Sequence, residues 1–223
     1  MVKSSEIMLR ISISSCFICD VNEWGTWFLA EPGTNPGFLY QQNTLRDALV
    51  AGLHFHIFHQ HHDRIHMTNI AQMVNVLQAM ILTEGNKMLL TPTYHIFDMF
   101  KVHQDGKVLA TTVEHSHYEF NDEKVPEFTV SASKDAEGNI HISFRHINPN
   151  ASSEVNVELR EFQSDIEITG TVLTSSPMQD HNTFSELDKV KPVSFTDYTF
   201  RQQHQLDVVL PPMSAVMLTI KKK

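Results

Sequence analysis

The stretch that decides the fold of this chain is Asp20-Val21-Asn22-Glu23-Trp24-Gly25-Thr26-Trp27. It follows a short apolar run, Cys16-Phe17-Ile18-Cys19, of the kind that forms a buried parallel strand. A carboxylate just past such a strand lies at the mouth of an α/β barrel, where active sites of that architecture are found. Tryptophan has a flat apolar face bordered by a hydrogen-bond donor, which suits stacking on sugars. Glu23 is therefore predicted to face a carbohydrate. The alternative is a surface glutamate beside two core tryptophans.

The residues after this stretch predict alternating helices and strands. Residues 30–40 carry the Pro and Gly residues typical of a long loop. Apolar residues recur at helical spacing over residues 44–61 and again over 70–81, and residues 64–67 between them predict a short strand. A further run with helical spacing covers residues 94–102. This order is that of the last two units of a (β/α)8 barrel, although a complete barrel needs about 250 residues.

The first predicted helix is rich in histidine, which raises the possibility of a metal site. The residues concerned are His54, His56, His59, His61, His62 and, just beyond, His66. Two ligands share a helix face at i, i+3 spacing, as His59 and His62 do. No acidic or cysteine side chain repeats that geometry nearby, so we expect surface or partly packed histidines and no metal. Cys16-x-x-Cys19 has the form of a redox motif, but both cysteines lie within the predicted strand rather than at the start of a helix.

From Lys107 onward the hydrophobic period changes to two, the period of β-strands. Two alternating runs, 128–132 and 140–144, flank a Gly-Asn turn and predict a hairpin. Four later runs continue the pattern, at residues 155–159, 166–168, 206–210 and 216–220. Pro211-Pro212 predicts a hairpin loop between the last two. Several short strands separated by turns predict a β-sandwich.

Composition and charge limit the classes of function. The 223 residues carry a formal net charge of -9, which argues against a nucleic-acid-binding surface, because such surfaces are basic. No apolar run reaches the roughly 18 residues of a membrane-spanning helix. Glu6 and Arg10 interrupt any apolar core of a signal peptide, so we expect no membrane partner and favour the cytoplasm.

A set of motifs runs through the chain after residue 20. They are Glu23-Trp24-Gly25-Thr26-Trp27, the stretches 31–50, 69–78 and 90–95, and the late pair His181-Asn182-Thr183-Phe184 and Val190-Lys191-Pro192-Val193. Together they resemble family 51 α-L-arabinofuranosidases over roughly residues 20–223, while residues 1–19 diverge. Asn22 stands where that family usually has Asp.

The resemblance implies an α/β plus all-β fold in two parts. Residues 1–103 would be the last two β/α units of an incomplete (β/α)8 barrel, and residues 104–223 a jelly-roll-like β-sandwich.

The resemblance also implies a chemistry. Glu23 would be the catalytic nucleophile and Trp27 an aromatic residue that lines the sugar site. The expected partner is an arabinose-containing oligosaccharide, from which terminal arabinofuranosyl residues are released, with no cofactor and no metal. A homo-oligomer is possible for full-length relatives. The acid/base of the family is a Glu that follows an Asn at an earlier barrel strand, and the residues before Asn22 contain no such pair.

Two functions therefore stay open. The first is the carboxyl-terminal part of an arabinofuranosidase that lacks its acid/base and is inactive as this polypeptide alone. The second is a noncatalytic β-sandwich module with a barrel remnant, which acts in assembly or in weak sugar binding.

Overall fold

The computed structural model describes residues 18–114, 116–159, 166–201 and 204–222. It opens with a β-α-β arrangement: strand β1 (Cys19–Trp24), helix α1 (Leu45–Gln60) and strand β2 (Ile65–Ile70). The two strands pair in parallel, from Cys19 opposite Ile65 to Trp24 opposite Ile70. The predicted helix and second strand are confirmed. The first strand, however, runs on through Trp24, so Glu23 is its penultimate residue rather than a residue of the following loop; Cys16 and Phe17 lie outside the described residues.

The predicted helix over residues 70–81 is wrong. This segment is an irregular loop in which Val74 forms a single bridge with Ile81. Asn75 and Leu77 have positive φ angles of 59° and 52°, which a right-handed helix does not accommodate. The Asn75 carboxamide also accepts the Thr83 N–H at 2.7 Å, so a side-chain bond ties the loop to the residues that follow it. Beyond the loop, strands β3 (Ile81–Glu84) and β4 (Lys87–Leu90) form a hairpin.

Helix α2 (Pro92–Phe100) begins at two residues, Thr91 and Pro92, that favour a helix start. Thr91 has extended backbone angles and its hydroxyl accepts the Tyr94 N–H, while Pro92 occupies the first helical position, where no N–H is needed. The helical run predicted over residues 94–102 is therefore confirmed, with its start two residues earlier. In the parts of the chain that the structure describes, no helix is both long and apolar enough to cross a membrane.

The remaining strands form two facing sheets and one separate hairpin. The large sheet contains β5 (Lys107–Val108), β8 (Phe128–Lys134), β9 (Ile140–His146), β11 (Ile166–Thr174), β12 (Val193–Ser194) and β15 (Ser214–Lys222), in the order β12-β11-β15-β9-β8-β5. The small sheet contains β10 (Ser153–Glu158), β13 (Tyr198–Arg201) and β14 (Gln205–Leu210), in the order β10-β14-β13. The hairpin is β6 (His117–Phe120) with β7 (Glu123–Pro126). Side chains of both sheets, among them Phe144, Leu206 and Leu218, share one core.

Of two hairpins predicted from the sequence, one is confirmed and the other is wrong. The hairpin over residues 128–144 is confirmed, because β8 and β9 pair in antiparallel register. The hairpin loop predicted at Pro211-Pro212 is wrong: β14 belongs to the small sheet and β15 to the large one, so the two prolines carry the chain from one sheet to the other.

Both helices pack on the face of the large sheet that points away from the small sheet. A second core joins Leu45, Leu49 and Ile96 of the helices to Met217 of β15 and Leu173 of β11. The molecule therefore has three layers, with the large sheet in the middle and an apolar surface on each of its sides.

Candidate active site

Glu23 lies at the carboxyl end of the parallel strand pair and its side chain is exposed. Within the described residues its carboxylate has no hydrogen bond and no ion pair. Asp20, three residues earlier on β1, is also exposed. The end of the pair is closed by a bond from the Ala71 N–H to the Trp24 carbonyl, 3.0 Å long, so the residues after both strands emerge side by side. Cys19, at the start of β1, is a free thiol.

The two tryptophans beside Glu23 have opposite surroundings. Trp24 is 8% exposed and stacks on His54 and Phe97 at 5.1 and 5.9 Å between ring centroids, with Phe55 and Phe58 at its edges. Trp27 is 65% exposed. An exposed indole face four residues after an exposed carboxylate can meet a sugar ring, whereas Trp24 belongs to the core.

A buried hydrogen-bond network holds the turn between the two tryptophans. The Thr26 N–H donates to the Gln78 side-chain oxygen at 2.7 Å, and the Thr26 hydroxyl donates to the Asp47 carboxylate. Gln78 in turn donates to the Asp47 carbonyl at 2.7 Å. Gln41 accepts the Phe28 N–H at 2.9 Å and donates to the Thr26 carbonyl at 3.2 Å. Because Gln41, Asp47 and Gln78 are fully buried, they fix the backbone that follows Glu23.

Gly25 is required in this turn for two reasons. Its φ of +138° lies in the region that side chains rarely adopt, and a Cβ atom at this position would lie 3.0 Å from the Gln78 side-chain oxygen.

A groove of about 780 Å³ opens between residues 34–40 and residues 72–84, with Phe184 from the long connection between β11 and β12 also lining it. Its aromatic residues are Phe38, Tyr40 and Phe184, and its polar residues include Gln72 and Asn75. Burial, with the carboxylates of Glu31 and Glu84, raises the pKa of Tyr40. Sequence reasoning predicted the loop but missed this groove. The aromatic residues of the Pro- and Gly-rich loop were the available signal.

The histidines of α1 do not form a metal site in the part of the chain that the structure describes, where no suitable group of His, Cys, Asp or Glu occurs. His56 and His59 instead point at the large sheet. His56 binds the hydroxyls of Thr129 and Ser143 at 2.8 and 3.0 Å, and His59 binds Ser131 at 2.9 Å. The expectation of packed histidines is confirmed for these two, while His61, His62 and His66 are exposed.

Known proteins resemble this chain over most of its length. Residues 22–214 match the family model described as the alpha-L-arabinofuranosidase C-terminal domain. An intracellular exo-α-L-arabinofuranosidase of Bacteroides ovatus is 43% identical over 202 residues, which are 90% of this chain and 39% of that protein. The crystal structure of a family 51 arabinofuranosidase from Xanthomonas axonopodis pv. citri matches with a TM-score of 0.88 and 45% identity, covering 92% of this chain and 41% of the other.

A more distant structure shows the same fold. The thermostable family 51 α-L-arabinofuranosidase of Thermotoga petrophila matches with a TM-score of 0.77 at 21% identity, over 91% of this chain and 43% of the other. The chain thus spans about two fifths of the length of each of these proteins.

Proposed function

Because the chain belongs to the family of the alpha-L-arabinofuranosidase C-terminal domain, we propose that it is the carboxyl-terminal part of a retaining α-L-arabinofuranosidase. Its substrates would be arabinan or arabinoxylan oligosaccharides, from which it would release terminal arabinofuranosyl residues. The observation that carries the proposal is the exposed carboxylate of Glu23 at the end of a parallel strand pair, beside the exposed Trp27. The identity with the Bacteroides ovatus exo-enzyme supports it.

In this proposal Glu23 attacks the anomeric carbon and forms a glycosyl-enzyme bond, which water then hydrolyses. A retaining glycosidase needs a second carboxyl group about 5–5.5 Å away, which protonates the leaving oxygen and later activates the water. The proposed source of this acid/base is the part of the longer relatives that the chain does not cover. The Trp27 ring would stack on the arabinofuranosyl unit, and the Gln41-Asp47-Gln78 network would hold the turn that carries it.

The proposal assigns residues 1–103 to the last two units of a (β/α)8 barrel and residues 104–223 to a jelly-roll-like sandwich. The parallel pairing of β1 and β2 around α1 supports the first assignment. Since the Bacteroides ovatus relative is named an intracellular enzyme, we extend the proposal to an intracellular location.

The test joins this chain to the amino-terminal part of the Bacteroides ovatus relative and measures hydrolysis of p-nitrophenyl α-L-arabinofuranoside. Glu23→Gln keeps the shape but removes the attacking charge, so turnover should fall at least about 1,000-fold. Asp20→Asn, which removes an exposed carboxylate from the same strand, is the matched control and should retain most of the turnover. Azide should restore product formation to Glu23→Ala, because a small anion can occupy the place of the missing carboxylate.

Near-normal turnover of the Glu23→Gln chimera would overturn the nucleophile assignment. The 223-residue polypeptide alone should show no turnover, because within it the leaving oxygen has no proton donor in the proposed arrangement.

A noncatalytic module is the second candidate. It is favoured by the open edges of the first sheet: among the described residues, β1 and β2 pair only with each other. A chimera that folds and binds arabinose but shows no turnover in either its native or its Asp20→Asn form would favour this candidate.

A further inference from the structure

We propose that the long connection between β11 and β12, residues 175–192, positions the turn that carries Trp27. We call this connection the clamp, and we assign Asp180 and Asn182 within it as positioning residues. Neither of them touches the substrate in the proposed function, since each acts through other residues that bind the turn. The inference rests on the proposed function for the part that the turn plays beside Glu23, but the contacts that carry it are those of the folded chain.

The clamp caps the start of helix α1. The first N–H groups of a helix have no partner within that helix. At the start of α1, the N–H groups of Leu45 and Arg46 donate to the carbonyls of Asp180 and Met178, at 2.9 and 3.1 Å. The acceptors thus come from a distant part of the chain rather than from the residues just before the helix. The position of the first turn of α1 therefore depends on the clamp.

The Asp180 side chain is itself held by two partners. The Ser175 hydroxyl donates to one carboxylate oxygen at 2.5 Å, and the Lys189 ammonium group lies 2.8 Å from the other. The hydrogen bonds from Lys189 and Ser175 also lower the pKa of Asp180, so its carboxylate is charged at neutral pH. Asp180 is 8% exposed, and Val190, near the end of the clamp, packs in the same core as α1. The carbonyl of Asp180 that caps α1 is therefore fixed in place.

The first turn of α1 is bonded directly to the turn that carries Trp27. Asp47, in that first turn, is fully buried, and its carboxylate accepts the Thr44 N–H at 2.8 Å. The same carboxylate accepts the hydroxyl of Thr26, the residue before Trp27. A displacement of the start of α1 would therefore displace Thr26.

A second set of contacts joins the clamp to Thr26 through helix α2. The Asn182 side chain, 3% exposed, donates to the Leu90 carbonyl at the end of β4, at 2.8 Å. Helix α2 begins two residues later, and the Thr93 hydroxyl in its first turn accepts the Gln78 carboxamide N–H at 3.2 Å. Gln78 in turn accepts the Thr26 N–H at 2.7 Å. The start of α2 is therefore tied to the clamp on one side and to the turn on the other.

Both sets of contacts end on Thr26, one at its hydroxyl and the other at its N–H. Buried hydrogen bonds of this kind hold a backbone rigidly, because no water competes for the partners. Positioning matters to a reaction, since a misplacement of about 1 Å by a distant change can cost roughly a hundredfold in rate. The clamp joins two strands of the large sheet, so it gives that sheet a part in holding the site.

The test is amide hydrogen exchange of the 15N-labelled 223-residue chain, followed by NMR. Exchange at Thr26 and Phe28 requires the turn to open, because both N–H groups donate to buried side chains. Asp180→Ala removes the contacts to Ser175 and Lys189 and should speed exchange at both amides about tenfold or more. Asp180→Asn keeps oxygen and nitrogen atoms that can bond to the same partners, and should restore most of the protection.

Two controls separate positioning from a general loss of stability. Asp188→Asn is the matched variant, since Asp188 lies in the clamp but pairs with Lys191 at the surface, and it should leave exchange at Thr26 unchanged. The Leu218 amide in β15 is measured in the same spectra, and Asp180→Ala should leave its rate within about twofold. Asn182→Ala, which breaks the contact to β4, should speed exchange at Thr26 as Asp180→Ala does.

Turnover of the chimera described above gives a second measurement. Asp180→Ala should lower its kcat/KM about tenfold to a hundredfold, and Asp180→Asn should restore most of it. Unchanged exchange at Thr26, an equal increase at Leu218, or faster exchange at Thr26 with unchanged turnover would each overturn the proposal. Undiminished turnover of the Glu23→Gln chimera would contradict only the nucleophile assignment, since the exchange rates do not depend on catalysis.

Discussion

Trp24 and Trp27 show how three residues of separation can place one indole ring in the core and another in solvent. Along the strand, successive side chains point to opposite faces, and Trp24 is the last residue of β1 to point into the aromatic cluster. Gly25 then turns the backbone, and the network of Gln41 and Gln78 holds Trp27 on the outside. The same residue type thus has a packing role at one position and is free to bind at the other.

This difference gives a prediction on stability. Trp24→Ala removes a buried ring with four aromatic neighbours, and should lower the free energy of unfolding by about 3–5 kcal/mol. Trp27→Ala, the matched control, should change it by no more than about 0.5 kcal/mol, because Trp27 is exposed. Urea unfolding followed by circular dichroism measures both variants. Equal losses would mean that Trp27 also packs in the core.

At the scale of elements, the contact between α1 and the large sheet is a seam of histidines and hydroxyls. His56 and His59 come from α1, His103 from the 3-10 helix Lys101–His103 that follows α2, and His141 from β9. His103 contacts Ser133 and Ser143 at 2.7 and 2.9 Å, so it shares Ser143 with His56. Arg145 of β9 is also buried here, and burial lowers its pKa to about 10.

The seam should respond to acid because three of its histidines, His56, His59 and His103, stay neutral in the folded chain. Burial lowers the pKa of His59 to about 4, with His62 adding to the effect. Burial lowers the pKa of His103 to about 3, with His59 and His141 adding to it. Burial also lowers the pKa of His56 well below its usual value, with His59, His103 and Arg145 contributing. The unfolded chain binds these protons below about pH 6.5, whereas the folded chain does not.

We therefore expect the free energy of unfolding to fall between pH 6.5 and pH 4, as the unfolded state takes up more protons than the folded one. Each histidine should contribute up to about 1.4 kcal/mol per pH unit. His103→Asn should make this slope shallower, while Gln60→Asn, an exposed change on α1 that removes no titrating group, should leave it as it is. The measurement is the free energy of unfolding in urea at several pH values. A slope independent of His103 would show that other groups cause the acid loss.

At the scale of the whole molecule, the large sheet is the element on which both cores depend. One face packs on the small sheet and the other on α1 and α2. Residues 104–223 contain the strands of both sheets, so we expect this segment to fold alone and to unfold cooperatively in urea. It should nevertheless be less stable than the full chain, because Leu173, Ala215 and Met217 lose their cover.

The substitution Met217→Ala tests whether this face of the large sheet is covered in the full chain and exposed in the segment 104–223. In the full chain Met217 is 6% exposed, and its truncation should cost about 2–5 kcal/mol. In the segment 104–223 the same change should cost less than about 1 kcal/mol, because the side chain already faces water. Equal costs in both polypeptides, or a flat unfolding curve for the segment, would contradict the three-layer account.

Local patterns in the sequence determined the two helices and one hairpin, whose backbone hydrogen bonds join residues close together in the chain. The period of apolar residues predicted α1 and α2, and the Gly-Asn turn predicted the β8–β9 hairpin. The Glu23-Trp24-Gly25-Thr26-Trp27 motif led to the family, which the match over residues 22–214 confirms. These features depend on neighbours within a few positions, whose spacing the sequence shows directly.

Only the tertiary structure decided what each apolar face packs against. Residues 70–81 have a helical period, yet they form a loop. Within it the Gln78 side chain hydrogen-bonds to Thr26 and Asp47, and the Asn75 side chain hydrogen-bonds to Thr83. The sequences of β14 and β15 are typical of a hairpin, but the two strands belong to different sheets. Phe184 meets Tyr40 although they are far apart in the chain. The period of apolar residues shows that one face of a segment avoids water, but it does not show which distant residues cover that face. Buried polar groups also need hydrogen-bond partners, and the fold decides which residues those partners are.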